Sequence, residues 1–371
     1  MANIRIVIVD DSAVVRRILR EALAADPTME IVGIAGDGET ALSRIEQTTP
    51  DAVTLDVELP GKSGLETLRD IRKRWRKLPV IMFSTLTEKG AVTTLDALSS
   101  GASDYVAKPS TSGSLEQTKR KICEELIPKL KALCGGAKPA AQMAFGHRPP
   151  EFVPVRSAAT LHQKVEIVAI GTSTGGPNAL GELLPHLSSA LPVPVVLVQH
   201  MPALFTKYLA ERLAKSCALK VAEGVAAQEV HAGEVWIAPG DFHMQVEKIG
   251  ARVKLKMNQE APENSCRPAV DVLFRSAAEV FGAGVLGVVL TGMGSDGVRG
   301  AEKIVAAGGK VIVQDEATSV VWGMPGQVAG AGYADGIYPL GELAREIERR
   351  VSAAGRAANS MALTPAGAKS C

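Results

Sequence analysis

A chain of 371 residues has room for two domains of ~100–200 residues each. Its 46% hydrophobic and 22% charged residues are ordinary globular values, and a formal net charge of +1 leaves no positive field for gripping nucleic acid or an anionic membrane. Cys123, Cys134, Cys217, Cys266 and Cys371 form no CxxC pair, which argues against a disulfide frame or a zinc cluster, and no run of ~20 apolar residues offers a membrane span.

In chain order, the opening MANIRIVIVDD is too short for a signal h-region and ends in two aspartates, so a soluble, cytoplasmic protein without membrane insertion is expected. Short β-branched runs follow at 4–9, 30–35, 51–56, 79–84 and 104–108, separated by amphipathic stretches such as SAVVRRILREALAAD and GLETLRDIRKRW. This alternation predicts βαβ crossovers and a parallel sheet over residues 1–132. Residues 133–163, rich in Ala, Pro and Gly, read as a linker. Alternation resumes with VEIVAIG, VPVVLVQH, EVWIAPG, ARVKLKM, GVLGVVLTG and KVIVQD, which predicts a second, doubly wound and mostly parallel α/β domain over 164–354. Residues 355–371 lack apolar periodicity and are expected to form a flexible tail.

Ligands of an open parallel sheet bind outside the carboxyl ends of its strands. Asp10 and Asp11 follow the first strand, Asp56 ends the third, Ser84 the fourth, and Lys108 the fifth, before Pro109. Each aspartate, taken singly, could merely cap the next helix. Together, three carboxylates, a hydroxyl and an ammonium in one cleft suit a hard cation such as Mg²⁺.

Those residues lie in IVDDSAVVR, TLDVELPGKSGLE, MFST and GASDYVAKP, and residues 3 to about 130 resemble the receiver domains of two-component response regulators. The resemblance implies a flavodoxin-like sheet of order 2-1-3-4-5. It implies phosphorylation of Asp56 by a histidine kinase, with Mg²⁺ held by Asp11, Asp56 and the carbonyl of Glu58, assisted by Asp10. Ser84 and Lys108 would contact the phosphoryl oxygens, and Tyr105 would be the switch aromatic, turning inward on phosphorylation.

In the second domain, the VEIVAI strand runs into Gly171-Thr172-Ser173-Thr174-Gly175-Gly176-Pro177. Glycines around a serine permit a tight strand-to-helix turn with the hydroxyl exposed. Ser173 could instead be a cap in a phosphate-cradling loop, although no Lys follows the glycines as a Walker loop requires. His200 ends VPVVLVQH and Asp296 lies in the loop after GVLGVVLTG, so nucleophile, base and orienting acid can meet at three strand ends. His243 is a rival histidine and Asp315 a rival carboxylate. The order Ser, His, Asp differs from the Ser, Asp, His order of α/β-hydrolases, although Gly171–Gly175 matches G-x-S-x-G.

IGTSTGGP, LVQHMP, EVWIAPGDFHM, RPAVDVLFRSAA, VVLTGMGSDGVRG and DEATSVVWGMPG resemble the catalytic domain of the chemotaxis protein-glutamate methylesterases, over about residues 164–352. Receiver, linker and esterase also stand in that family's order. The resemblance implies Ser173 as nucleophile, His200 as base and then acid, and Asp296 as the group fixing the imidazole tautomer. Backbone N–H groups of Met293 and Thr174 would form the oxyanion hole, with Thr174 also steadying the histidine. The implied substrates are γ-methyl esters, and glutamine amides, of methyl-accepting chemotaxis receptors, with a chemotaxis histidine kinase as phosphodonor. The esterase reaction itself calls for no cofactor. The unphosphorylated receiver is expected to restrain the esterase.

Three rival readings stand beside this one, of which a catalytically silent adaptor is opposed by the intact set of Ser173, His200 and Asp296. A DNA-binding output is opposed by the near-neutral charge and by parallel strands where a helix-turn-helix would stand. An esterase or amidase of the same fold acting on another protein is compatible with the motifs.

Overall fold

The computed structural model describes residues 3–108, 115–135 and 164–361, and the chain divides into two units, Met1–Ala141 and Gln142–Cys371. In the first unit β1 (Ile4–Val9), β2 (Met29–Ala35), β3 (Ala52–Asp56), β4 (Val80–Ser84) and β5 (Asp104–Ala107) form one parallel sheet of order β2-β1-β3-β4-β5. That is the order the resemblance implied. Every residue of β3 and β4 is buried, as expected of inner strands covered on both faces.

Four helices connect these strands, α1 (Ala13–Ala24), α2 (Gly38–Thr48), α3 (Gly64–Arg74) and α4 (Glu88–Ser99), and a fifth, α5 (Leu115–Cys134), follows β5. Their starts are written in short polar side chains. Ser12 accepts from Val15 N at α1, and Ser63 with Glu66 completes a reciprocal capping box at α3. Leu19, Leu23, Ile122 and Leu126 of α1 and α5 pack on Ile6, Ile8, Ile81 and Phe83 of the sheet. The chain reverses direction across β1 and β3, so Asp10, Asp11 and Asp56 open on one crevice.

The second unit holds nine strands: β6 (Ile167–Thr172), β7 (Val195–Gln199), β8 (Lys220–Glu223), β9 (Glu234–Ile237), β10 (His243–Ile249), β11 (Arg252–Asn258), β12 (Val285–Val289), β13 (Lys310–Gln314) and β14 (Gly336–Tyr338). Seven of them form a parallel sheet of order β14-β13-β12-β6-β7-β9-β8. The helices are α6 (Gly176–Leu183), α7 (Ala203–Ser216), α8 (Val270–Phe281), α9 (Val298–Ala306), α10 (Met324–Gly330) and α11 (Leu340–Met361). Side chains alternate across the sheet. Ile167, Ala169, Val196 and Val198 turn towards Val270, Leu273 and Phe274 of α8, while Val168, Ile170, Val195 and Leu197 are equally buried on the opposite face.

One expected sheet strand lies elsewhere. ARVKLKM becomes β11, which leaves the parallel sheet and pairs antiparallel with β10 through a turn at Gly250, φ +62°. β8, β10 and β14 were not anticipated. β8 and β14 are edge strands of four and three residues, too short to show a hydrophobic period. At the chain's end α11 runs to Met361, into the segment expected as a tail, while residues 362–371, Pro109 and linker residues 136–163 lie outside the described residues.

β6, the unit's first strand, sits between β7 and β12. The chain builds outward from it in one direction and then the other, so the carboxyl ends of these three strands share the crevice at the switch point.

Candidate active site

Ser173 directly follows β6 in a turn that only glycine allows. Gly175 adopts φ +80°, and a Cβ at Gly176 would come within 2.0 Å of Gln199 Oε1 and 2.4 Å of Thr172 Oγ1. Ser173 N donates to Thr291 O at 3.1 Å, which ties the serine to the loop after β12. A Cβ on Gly292 would stand 2.9 Å from Ser173 Cβ, so the backbone leading to Met293 lies against the serine. The Gly292 carbonyl is itself held by the amides of Gly323 and Met324, at 3.1 and 2.8 Å. Thr174 is buried, and its carbonyl accepts from Thr291 Oγ1 at 2.9 Å.

His200 follows β7, its amide on Thr172 O at 3.2 Å. Its Nε2 lies 2.8 Å from Asp296 Oδ2. Asp296 is 2% exposed and accepts four further hydrogen bonds, from Asn264 Nδ2 and from the amides of Val270, Asp271 and Gly297, at 2.7–3.0 Å. Two of those amides open α8, so the positive end of that helix also favours the anion. Burial alone would raise this carboxyl; His200 and the Asp271 and Val270 amides hold it below its usual value. Burial pulls His200 downward, but Asp296 and then Cys266 outweigh it, and the imidazole is raised above its ordinary range.

The structure thus brings Ser173, His200 and Asp296 to the three strand ends read from the sequence. The rivals are engaged elsewhere. His243 is buried between Ala261 O, 3.2 Å from Nε2, and Ala269 N, 3.2 Å from Nδ1. Asp315 closes a local turn onto Thr318 N and Oγ1, at 3.0 and 2.5 Å.

Four neighbours escaped the sequence reading. Gln199 Nε2 donates to the carbonyls of Ser173 and His200, at 3.0 and 3.3 Å, and so joins the two loops. Asp271, buried and raised above its usual value chiefly by burial, accepts from Asn264 Nδ2 and from the amides of Gly297 and Gly300. Asn264 bridges Asp271 and Asp296. Cys266 Sγ lies 3.5 Å from His200 Nδ1, the nitrogen Asp296 leaves free. Asn264 and Cys266 stand in a stretch with no periodic or motif signal for these contacts, whereas Gln199 and Asp271 lie inside LVQHMP and RPAVDVLFRSAA, segments quoted for the resemblance but given no role there.

In the first unit Asp10, Asp11 and Asp56 each place a carboxylate oxygen within 4.8 Å of the others. Lys108 Nζ donates to Asp56 Oδ2 at 2.6 Å and pairs with Asp10 Oδ2 at 2.9 Å, and Glu58 N donates to Asp56 Oδ1 at 3.1 Å. Burial, helped by Asp10 and opposed by Lys108, pushes Asp56 up to about 6. One ammonium among three carboxylates leaves excess negative charge and an all-oxygen donor set, which fits a hard divalent cation. Ser84 is fully buried, its Oγ donating to Gly90 O at 3.2 Å. Tyr105 is 6% exposed, with Lys129 Nζ 5.2 Å from its ring centroid. Among the described residues no helix is long and apolar enough to cross a membrane.

A family model described as CheB methylesterase matches residues 168–347, and one described as response regulator receiver domain matches residues 6–120. The protein-glutamate methylesterase/protein-glutamine glutaminase of Trichodesmium erythraeum is 49% identical over 95% of this chain and 100% of its own length. The protein of the same description from Nocardioides sp. is 48% identical over the whole of both chains. The crystal structure of the Thermotoga maritima CheB methylesterase catalytic domain, 42% identical, covers 50% of this chain and 98% of its own, with a TM-score of 0.49.

Proposed function

The chain belongs to the protein-glutamate methylesterase/protein-glutamine glutaminase family, and on that premise we propose that it is a phosphorylation-activated hydrolase acting on chemotaxis receptors through Ser173, His200 and Asp296. Its substrates are glutamate γ-methyl esters, and glutamine amides, of methyl-accepting receptors. The observation that carries the reading is the 2.8 Å contact of His200 with buried Asp296, set beside the glycine-bound turn of Ser173.

Ser173 Oγ attacks the γ-carbonyl while its proton passes to His200 Nδ1. Asp296, holding Nε2–H, selects that tautomer and stabilises the imidazolium that forms. The usual template places the carboxylate on Nδ1; here the ring is used the other way round. Amides of Met293 and Thr174 face the developing oxyanion, with the start of α6 behind them. His200 then gives that proton to the leaving methoxide oxygen, or to the leaving nitrogen of the harder amide, releasing methanol or ammonia, and afterwards takes a proton from the water that releases the glutamate.

In the receiver, Asp56 takes the phosphoryl group from a chemotaxis histidine kinase. Asp10, Asp11, Asp56 and the carbonyl of Glu58 would hold Mg²⁺, which when bound neutralises charge on the transferring phosphoryl group. Lys108 supplies a second positive charge, and Ser84 is freed from Gly90 O to meet a phosphoryl oxygen. Phosphorylation then raises esterase turnover.

Methanol release from methylated receptor membranes, with and without a phosphodonor, tests the whole reading. Ser173→Ala is expected to lose essentially all turnover while Asp56 still accepts phosphate. Retention of more than a few per cent of wild-type release would remove Ser173 as the nucleophile.

A further inference from the structure

We propose that Cys266 is a positioning residue for the hydrolysis, holding the His200 imidazole by its second nitrogen, an inference that rests on the triad reading above. Asp296 pins the ring at Nε2 only. A ring held at one edge atom can still swing about its side-chain torsion, which for histidine is broad. Cys266 Sγ, 3.5 Å from Nδ1, provides the second point of contact. Among the described residues the hydrogen bond at Nδ1 comes from this sulfur and not from Ser173.

The sulfur is itself well held. Glu263 and Cys266 exchange both backbone hydrogen bonds, at 3.1 and 2.8 Å, across a tight turn whose central residues, Asn264 and Ser265, have φ +51° and +62°. Positive φ at both central positions is the geometry of a type I′ turn. Glu263 pairs with Arg275 of α8, and Arg267, the next residue along, with Asp241, so both sides of the turn are anchored. Within it Asn264 donates to Asp296 while Cys266 meets His200, and one turn therefore holds both members of the acid–base pair. Such support matters because a misplaced catalytic group loses rate without losing substrate affinity.

During acylation the Nδ1 lone pair passes from Cys266 to the Ser173 proton, with no covalent change at sulfur. A thiol is a weak hydrogen-bonding group. It can orient the ring between turnovers and yield to the stronger hydroxyl donor when substrate brings Ser173 into line.

The test compares intact Cys266→Ala, Cys266→Ser and Ser173→Ala proteins on methylated receptor membranes. Cys266→Ala is expected to lower kcat by about tenfold, with KM and melting temperature little changed. Cys266→Ser, which retains a donor and acceptor, restores most of kcat. Cys266→Ala also shifts the acid limb of kcat/KM, since the sulfur contacts the ring nitrogen that titrates. A merely structural thiol would not move that limb. An unaltered kcat in Cys266→Ala, a loss confined to KM or stability, or a loss that serine does not restore overturns the proposal. If Ser173→Ala is silent while Cys266→Ala is unaltered, only the positioning role falls. Turnover surviving Ser173→Ala overturns the triad reading and this inference with it.

Discussion

His200 presents Nε2, not Nδ1, to Asp296, at 2.8 Å from Oδ2. In the proposed mechanism the nitrogen left for Ser173 is therefore Nδ1, and Asp296 would keep the proton on the far side of the ring. Asp296→Asn preserves the shape but favours the wrong tautomer, and is expected to cost on the order of 10⁴ in kcat, the loss known for the best-studied triad. Asp315→Asn, in a turn onto Thr318, costs far less. Matched methanol-release kinetics check the ranking, and the reverse order would assign the orienting acid to Asp315.

The base must be neutral to accept a proton, and the ionisable groups acting on His200, Asp296 and then Cys266, raise its pKa against the effect of burial. The sign follows directly: kcat/KM falls as pH drops through the raised value, so the acid limb lies above the ordinary histidine range of about 6.5. A pH profile with its acid limb below that value would show that burial dominates in the free enzyme.

A Cβ at Gly171 would meet Val270 Cγ1 at 2.4 Å. Val270 opens α8, and its amide donates to Asp296 at 2.7 Å. Gly171→Ala is therefore expected to destabilise the esterase unit by about 1–3 kcal/mol through overpacking. It is also expected to lower kcat, because relief of the clash displaces an amide that holds the Asp296 carboxylate. Thermal melts and kinetics on the same preparation would expose a variant with wild-type values of both.

For control by the receiver, Asp56→Asn is expected to leave a low basal esterase rate that no phosphodonor raises. A fragment beginning near Ala158 should exceed the resting rate of the intact chain and ignore acetyl phosphate. A folded fragment no faster than the resting chain would mean that the receiver stimulates rather than restrains. The size of activation is bounded by differential affinity: a swing from ~1:99 to ~99:1 needs about 5.5 kcal/mol.

Much of this was legible in the amino-acid order because it depends on local rules. Five apolar runs with polar strand ends predicted the receiver sheet and the placement of Asp10, Asp11, Asp56 and Lys108 at one crevice. Glycines around Ser173 announced a tight turn, and Gly175 does adopt the positive φ that such a turn requires. ARVKLKM misled because its alternation predicts a strand correctly and says nothing about its partner; pairing with β10 is a non-local choice.

By itself the sequence determined two parallel α/β units, the strand ends that carry chemistry, and the residue types of both sites, since period, turn residues and short motifs are properties of neighbours along the chain. Only the tertiary structure decided which imidazole nitrogen faces Asp296, that Asn264 bridges Asp271 and Asp296, and that Cys266 stands at the free nitrogen. His243 and Asp315 could be set aside only when their hydrogen-bond partners were visible. The reason is physical. Contacts between residues 66 or 96 positions apart depend on how helices and loops pack above a sheet, and no local preference encodes which polar atoms that packing leaves facing one another.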